Sequence, residues 1–516
     1  MALAATAPEQ AHGRRPLILP DDEHNRELLR NSRPLDWVNP EPTGRYNLVV
    51  LGAGTAGLTA AGGCAAVGGR VALIERHLTG GDCLVSGCVP SKGIISAARV
   101  AANILHYAAD YGVRVQGATV DFPSVMARMR RLRARISPAD SVDHLKKAGV
   151  DVYLGQARFI SRDTVEVDGR RLQFAKAVIA TGGRAEVPSI PGLKETGYLT
   201  NETIFELTTL PQRLAVIGAG PIGCEMAQTF RRFGSEVTLL HNAGHILNRE
   251  DADAAEIVQR AFLKEGVRLV FNAKTQRAEV RSGTKMLIVE STGRAQEIVC
   301  DAVLVSAGRV PNTDGLNLEA AGVTSDQRGV QVNDRLQTTN PNIFAAGDVC
   351  SMYKFTHTAN VLGRMAMVNA LFWGRNKASS MTVPWCTYTD PEIAHVGLYE
   401  QQATAQGHQV QTLTVQLDEN DRAILDGEEE GFIRVHLKKG TDRILGATIV
   451  AAHAGDLLTY FTLLMVRGQG LSALSSPIYP YPTQSEAIKR LANQYLQTKL
   501  TPAVKRLLSR ILACRR

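Results

Sequence analysis

Two glycine-rich turns constrain this chain more than any other feature, because each sits where a strand must pass directly into a helix. In the first, Asn47-Leu48-Val49-Val50-Leu51 runs into Gly52-Ala53-Gly54-Thr55-Ala56-Gly57, then an alanine-rich helix from Leu58 to Val67, then a strand Arg70-Val71-Ala72-Leu73-Ile74 ending on Glu75. A strand apolar at every position is buried on both faces, as in parallel sheets. In the second, Arg213-Leu214-Ala215-Val216-Ile217 leads into Gly218-Ala219-Gly220-Pro221-Ile222-Gly223, a helix from Cys224 to Phe233, and a strand Glu236-Val237-Thr238-Leu239-Leu240 ending on His241. The distance from first glycine to strand end is 23 residues in both copies. Each copy is a dinucleotide fingerprint. Gly52 and Gly218 allow the tight turn, Gly54 and Gly220 let backbone amides approach a pyrophosphate, and Gly57 and Gly223 let helix and strand pack. Glu75 is placed to accept from a ribose hydroxyl. His241 stands in the acid's place in the second copy, with His245 and Arg249 following. A basic loop without a carboxylate suits a 2′-phosphate, so NADPH is expected there, with NADH as the alternative.

Two further segments return the chain to the first fold. Ala177-Val178-Ile179-Ala180-Thr181-Gly182-Gly183 is a strand running into a turn, and Asn342-Ile343-Phe344-Ala345-Ala346-Gly347-Asp348 is another, ending in a carboxylate suited to a sugar hydroxyl. The second nucleotide fold is therefore inserted in the first. After residue 382 strands appear, among them Gly431 to Leu437, followed by helices, which reads as an α+β module without a nucleotide turn.

Between the first fingerprint and the rest lies Gly80-Gly81-Asp82-Cys83-Leu84-Val85-Ser86-Gly87-Cys88-Val89-Pro90-Ser91-Lys92. A regular helix would separate the two cysteine Cα atoms by about 7.5 Å of rise alone, beyond the roughly 7 Å reach of a disulfide. The backbone between Cys83 and Cys88 is therefore expected to break, with Gly87 and Pro90 permitting it, and the pair reads as a reducible, redox-active dithiol. A dinucleotide delivers hydride, a dithiol carries two electrons onward, and the group that exchanges both is a flavin, so the first fold is expected to hold FAD.

The other six cysteines are scattered, which excludes a secreted disulfide framework. Residues 1–20 do not read as an export signal, since Arg14-Arg15 is followed only by Leu17-Ile18-Leu19 and then acids. Ile444 to Val466 is interrupted by His453 and Asp456 and does not read as a membrane span. A cytoplasmic protein is expected. The excess of eight positive charges reads as spread over many segments, with dense runs at Arg128 to Arg135 and Lys505 to Arg516. Arg128, Arg131 and Arg135 alternate with Met126, Met129 and Leu132 at helical spacing, a solvated face rather than a nucleic-acid or membrane surface. Residues 1–44, rich in proline and charge, read as an arm laid over the body or left mobile.

From about residue 45 to about 500, the ordered motifs GAGTAG, GGDCLVSGCVPSK, ATGG, GAGPIG and NIFAAGDV resemble those of the FAD-dependent pyridine nucleotide–disulfide oxidoreductases, which include glutathione reductase, dihydrolipoyl dehydrogenase and mercuric reductase. The resemblance implies an α/β chain with two Rossmann-like domains and a C-terminal α+β dimerisation domain. The expected bounds are a 1–44 extension, FAD-binding residues 45–195 and 316–381, NAD(P)H-binding residues 196–315, an interface domain at 382–500 and a basic tail at 501–516. It further implies that Cys83 is the interchange thiol and Cys88 the charge-transfer thiolate, that Lys92 and Glu225 pair beside the flavin, and that Asp348 holds the ribityl chain. Gly81, Thr181 and Gly182 would adjoin FAD and Gly308 NADPH. Pro221 replaces a tyrosine that gates the nicotinamide in many members.

Disulfide reductases of the family carry a C-terminal His-Pro-Thr segment ending in Ser-Glu; here Tyr481-Pro482-Thr483-Gln484-Ser485-Glu486 puts tyrosine in the histidine's place. Tyrosine titrates near pH 10 and histidine near 6.5, so Tyr481 is a poor acid–base for thiol exchange. Mercuric reductases are similar at that position, and a second tyrosine of theirs matches Tyr198. They end in a vicinal cysteine pair, whereas this tail has only Cys514, and residues 1–44 carry no paired cysteines of the kind expected in an N-terminal metal-trapping module. The resemblance implies an obligate homodimer in which Tyr481 and Glu486 act across the interface. The expected acceptor is Hg(II) or another soft electrophile, held transiently by Cys83 and Cys88 with Tyr198 and Tyr481 near and Cys514 a further candidate ligand. The alternatives are a disulfide reductase or dihydrolipoyl dehydrogenase using another base, and a low-turnover redox-sensing or metal-sequestering flavoprotein serving cell redox homeostasis.

Overall fold

In a computed structural model, residues 18–372 and 374–516 are described. They form two compact units. One runs up to Gly244 and resumes over Glu265–Met381; the other comprises His245–Lys264 and Thr382–Arg516.

The first unit holds both nucleotide folds. Strands β1 (Tyr46–Leu51), β2 (Val71–Glu75), β3 (Val150–Leu154), β4 (Arg158–Ser161), β5 (Thr164–Val167) and β6 (Arg170–Ile179) lie in the order β3-β2-β1-β6-β5-β4, with Ile343–Ala345 added beside β6. The pairs of β1 with β2 and β6, of β2 with β3, and of Ile343–Ala345 with β6 are parallel. The register puts Leu51 beside both Ile74 and Ile179. Burial on both faces follows the alternation of side chains: Leu48 and Val50 join one core with Ala56 and Ala60, while Val49 and Leu51 join another with Phe159 and Phe174. A smaller parallel sheet has the order Arg268–Val270, Glu236–Leu240, Arg213–Ile217, Ala302–Val305. This is the doubly wound α/β architecture expected, and in such sheets ligands bind where the strand order reverses.

Within residues 1–44, expected as an arm laid over the body or left mobile, helix α1 (Glu23–Ser32) lies on the body, a helix that the sequence did not announce; residues 1–17, with Arg14-Arg15, lie outside the described residues. Asp22 caps the helix at the Asn25 amide, and Leu28 and Asn25 are buried. It packs on α5 (Phe122–Ile136), so only part of that arginine-rich helix is a solvated face. Arg131 and Arg135 are exposed, but Arg130 and Arg133 are buried, with Arg130 Nε 2.5 Å from Asp22 Oδ2 and Arg133 donating to Asn25 Oδ1 at 2.7 Å. The sequence pattern missed this because the partner lies 108 residues away.

The second unit contains a five-stranded antiparallel sheet ordered Pro384–Thr387, Glu392–Gly397, Ile444–Ala451, Phe432–Lys438, Val410–Gln416. Helices Ala454–Arg467 and Glu486–Thr498 supply Leu458, Phe461, Ile488 and Leu491 to its core. The apolar stretch from Ile444 is thus a strand followed by a helix. Among the described residues, no helix is long and apolar enough to cross a membrane.

Candidate active site

The redox segment begins with two left-handed glycines, Gly80 (φ 93°) and Gly81 (φ 57°), that turn the chain into the short helix α3 (Gly81–Val85). A Cβ on Gly81 would lie 2.6 Å from the Gly54 Cα, so this turn rests directly on the first fingerprint. Helix α3 ends at Val85, and α4 (Cys88–Ala102) starts after the two intervening residues Ser86 and Gly87. The predicted break is present, and it sets Cys88 at the first position of a new helix. Pro90 falls in the first turn, where its missing N–H costs nothing.

Both thiols are free. The Cys83 thiol donates to Cys88, which is the main reason that Cys88 is pulled down to about 6. The Thr356 hydroxyl, 3.2 Å from the Cys88 sulfur, and the Lys92 cation act the same way, against partial desolvation of a side chain that still reaches solvent. The same shared hydrogen, together with burial, pushes Cys83 strongly up. The N-terminus of α4 adds its positive dipole end at Cys88. Lys92, one turn on, donates to Glu225 Oε2 at 2.9 Å; that carboxylate sits 6% exposed on α6 (Pro221–Phe233), against which α4 packs. The pair read from sequence is therefore brought together and lies one helical turn from the thiolate.

A second network was not foreseen. Asp82 Oδ1 accepts from Ser86 and from Asn201 at 2.8 and 2.9 Å, and its Oδ2 accepts from Arg309 at 2.8 Å. Arg309 Nε lies 3.4 Å from Asp348 Oδ2, whose carboxyl burial pushes up. Asp82, adjacent to Cys83, is thereby tied to the carboxylate at the end of the other strand. Asn201 and Arg309 lie 119 and 227 residues from Asp82, and Thr356 is 268 residues from Cys88, so no local spacing announces them.

The fingerprints separate glycines that the fold needs from glycines that only a ligand needs. A Cβ would meet carbonyl oxygens at 2.4 Å on Gly52, 1.8 Å on Gly57, 2.5 Å on Gly218 and 1.9 Å on Gly223. On Gly54 the nearest atom would be 3.9 Å away, and on Gly220 nothing lies within 4 Å. Those two positions stay open at helix N-termini, which fits a pyrophosphate in each fold. Glu75 is buried and accepts from the Ala53 and His77 amides, each at 2.7 Å. His241 takes the same seat in the second fold, its Nδ1 accepting from the Ala219 amide at 3.4 Å. Thr181 donates to the Asn312 carbonyl at 2.6 Å beside the left-handed Gly182. Gly308 abuts Glu186.

The remaining expected residues divide between the two units. Tyr198 is half-buried against the core of the second sheet. His245, with Nδ1 2.7 Å from the Ile246 carbonyl, and exposed Arg249 belong to the second unit. There, Tyr481 is 71% exposed, and its hydroxyl donates to Asp421 Oδ2 at 2.9 Å, which pushes its pKa up. Asp421, rather than Glu486, holds that hydroxyl; Glu486 opens the helix Glu486–Thr498. Cys514 is exposed. Among the described residues, no group of three or more His, Cys, Asp or Glu is arranged to hold a metal ion.

The pyridine nucleotide-disulphide oxidoreductase family matches residues 46–363, and its dimerisation domain matches residues 383–492. Mercuric reductase of Lysinibacillus sphaericus is 35% identical over 451 residues, 87% of this chain and 82% of that protein. Dihydrolipoyl dehydrogenase of Geobacillus stearothermophilus is 32% identical over 459 residues, covering 88% and 96%. The Cu(II) complex of the HOCl-induced flavoprotein disulfide reductase RclA from Escherichia coli superposes with a TM-score of 0.78 at 29% identity, covering 88% of this chain and all of that one.

Proposed function

The chain belongs to the pyridine nucleotide-disulphide oxidoreductase family, whose members use FAD and NAD(P)H, and on that footing we propose that it carries electrons from NADPH to the Cys83–Cys88 pair and on to Hg(II) or a similar soft cation. The observation that carries the reading is a dithiol held as one thiol and one low-pKa thiolate, with tyrosine at the C-terminal position where disulfide reductases have their histidine. Bound FAD supplies the relay between a hydride and an electron pair. Gly54 and Gly220 leave room for the two pyrophosphates, and Asp348 is the candidate partner of the FAD sugar chain. His241, with no carboxylate at its seat, favours a 2′-phosphate.

The chain's own groups then handle the substrate. Cys88 is ionised at neutral pH, and loss of the Cys83 proton gives a dithiolate that grips Hg(II) through two Hg–S bonds. Two electrons reduce Hg(II) to Hg(0), both Hg–S bonds break, and the two sulfurs are returned as thiolates. The balance is NADPH plus Hg(II) giving NADP⁺, Hg(0) and one proton. Tyr481 and Tyr198 are candidates to steer the cation as it enters, with Tyr481 supplied by the second copy in a homodimer.

A disulfide acceptor is the second reading, and His357 favours it: this exposed imidazole follows directly on Thr356, the hydroxyl that touches Cys88. An anaerobic panel of acceptors with the purified holoenzyme separates the two. Hg(II)-dependent NADPH oxidation that far exceeds glutathione disulfide, lipoamide and quinone reduction supports the metal reading. Fast disulfide reduction, lost in His357→Gln, with no response to Hg(II) overturns it.

A further inference from the structure

The C-terminal helix α7 (Pro502–Ala513) contains no buried residue, and it lies beyond residue 492, where the matched dimerisation domain ends. Val504, Leu507, Leu508, Ile511 and Leu512 are between 37% and 61% exposed. At 100° per residue these five fall on one face about 140° wide, and Lys505, Arg506 and Arg510 fall on the other. A helix of 12 residues with no buried face is at the margin of stability in water, so it needs a surface to cover that stripe.

The charge distribution identifies the surface. The 30 residues after Glu486 contain eight Lys or Arg and no Asp or Glu, which accounts for the whole excess of +8. The excess is therefore concentrated at the C-terminus and is not spread over many segments. The rest of the chain is balanced. A second copy of this helix would cover the stripe but leave the cations of both copies without an anionic partner, and the remainder of a second chain offers no net negative complement. Nucleic acid would match the cations but leave the apolar stripe in water. An anionic bilayer matches both faces at once.

We propose that α7 docks this protein on anionic membrane surfaces, its apolar stripe entering the interfacial layer and its cations meeting the lipid phosphates. The docking is peripheral and needs no membrane-crossing helix. It is independent of which acceptor the dithiol reduces.

Co-sedimentation of the FAD-loaded protein with phosphatidylcholine vesicles, with and without phosphatidylglycerol, tests this. At low salt at least about tenfold more protein should sediment with the anionic vesicles, and salt should reverse the binding. The double variant Leu508→Glu/Ile511→Glu should abolish the binding while FAD content, NADPH oxidation and dimer mass stay unchanged. Equal sedimentation of wild type and variant overturns the proposal. So does equal binding of both proteins to duplex DNA with no preference for anionic vesicles, which would mark a plain cationic patch. Conversion of the dimer to monomers by the double variant, with no vesicle binding by wild type, would assign the stripe to a second copy instead.

Discussion

Cys88, whose side chain still reaches solvent, is held down to about 6 by the Cys83 thiol first, then by Thr356 and Lys92, while partial desolvation opposes them. An ordinary thiol titrates near 9.0. The ionised thiol therefore contributes stability that is fully present above about pH 9 and is lost as the pH falls through about 6. In Cys83→Ser, where a hydroxyl still donates, the rate of Cys88 alkylation should rise with pH around a midpoint near 6. Thr356→Val and Lys92→Met should each move that midpoint upward; a midpoint that stays put in both would remove these two groups from the account. At the second nucleotide seat, His241 occupies the position that Glu75 occupies in the first, each receiving the amide of the residue after the first glycine. His241→Glu should turn the preference from NADPH toward NADH in kcat/KM, because a carboxylate accepts from a ribose hydroxyl and repels a phosphate.

The elements around the site divide into those that spacing announces and those that it does not. The strand–turn–helix of each fingerprint and the helix break between Cys83 and Cys88 follow from residues within a few positions of one another, and they are present as read. Gly220→Ala should keep the fold and the FAD while raising KM for NADPH, since the added Cβ meets no protein atom within 4 Å. Gly223→Ala should fail to fold stably, because its Cβ would lie 1.9 Å from the Gly218 carbonyl oxygen. Helix α1 was illegible because its apolar content is small and its anchors are long-range. Arg133 links Asn25 to the Val85 carbonyl at the end of α3, with distances of 2.7 and 2.5 Å, and Arg33 reaches the carbonyls of Arg76 and His77 at 3.0 and 2.9 Å. Residues ahead of the matched family region thus brace the segment that carries Cys83. Asn25→Ala removes one acceptor from a buried guanidinium and should lower unfolding stability by about 1.5–3 kcal/mol, read by urea denaturation of the holoenzyme.

For the whole molecule, the matched dimerisation domain supports a homodimer, and the exposed Tyr481 and Ile478 (71% and 95%) suit a face completed by a second copy. If Tyr481 serves the partner's dithiol, Cys83→Ser and Tyr481→Phe proteins, each impaired alone, should regain about a quarter of the wild-type activity when unfolded together and reassembled. No recovery would place Tyr481 at its own chain's site. The central claim is that the electron pair from NADPH leaves through the Cys83–Cys88 dithiol onto a soft cation. It is tested most directly by trapping Hg(0) vapour from anaerobic holoenzyme supplied with NADPH and Hg(II). One Hg(0) should form per NADPH oxidised, and none in Cys83→Ser or Cys88→Ser. NADPH consumed with no Hg(0) released, or Hg(0) released equally by both serine variants, would contradict it.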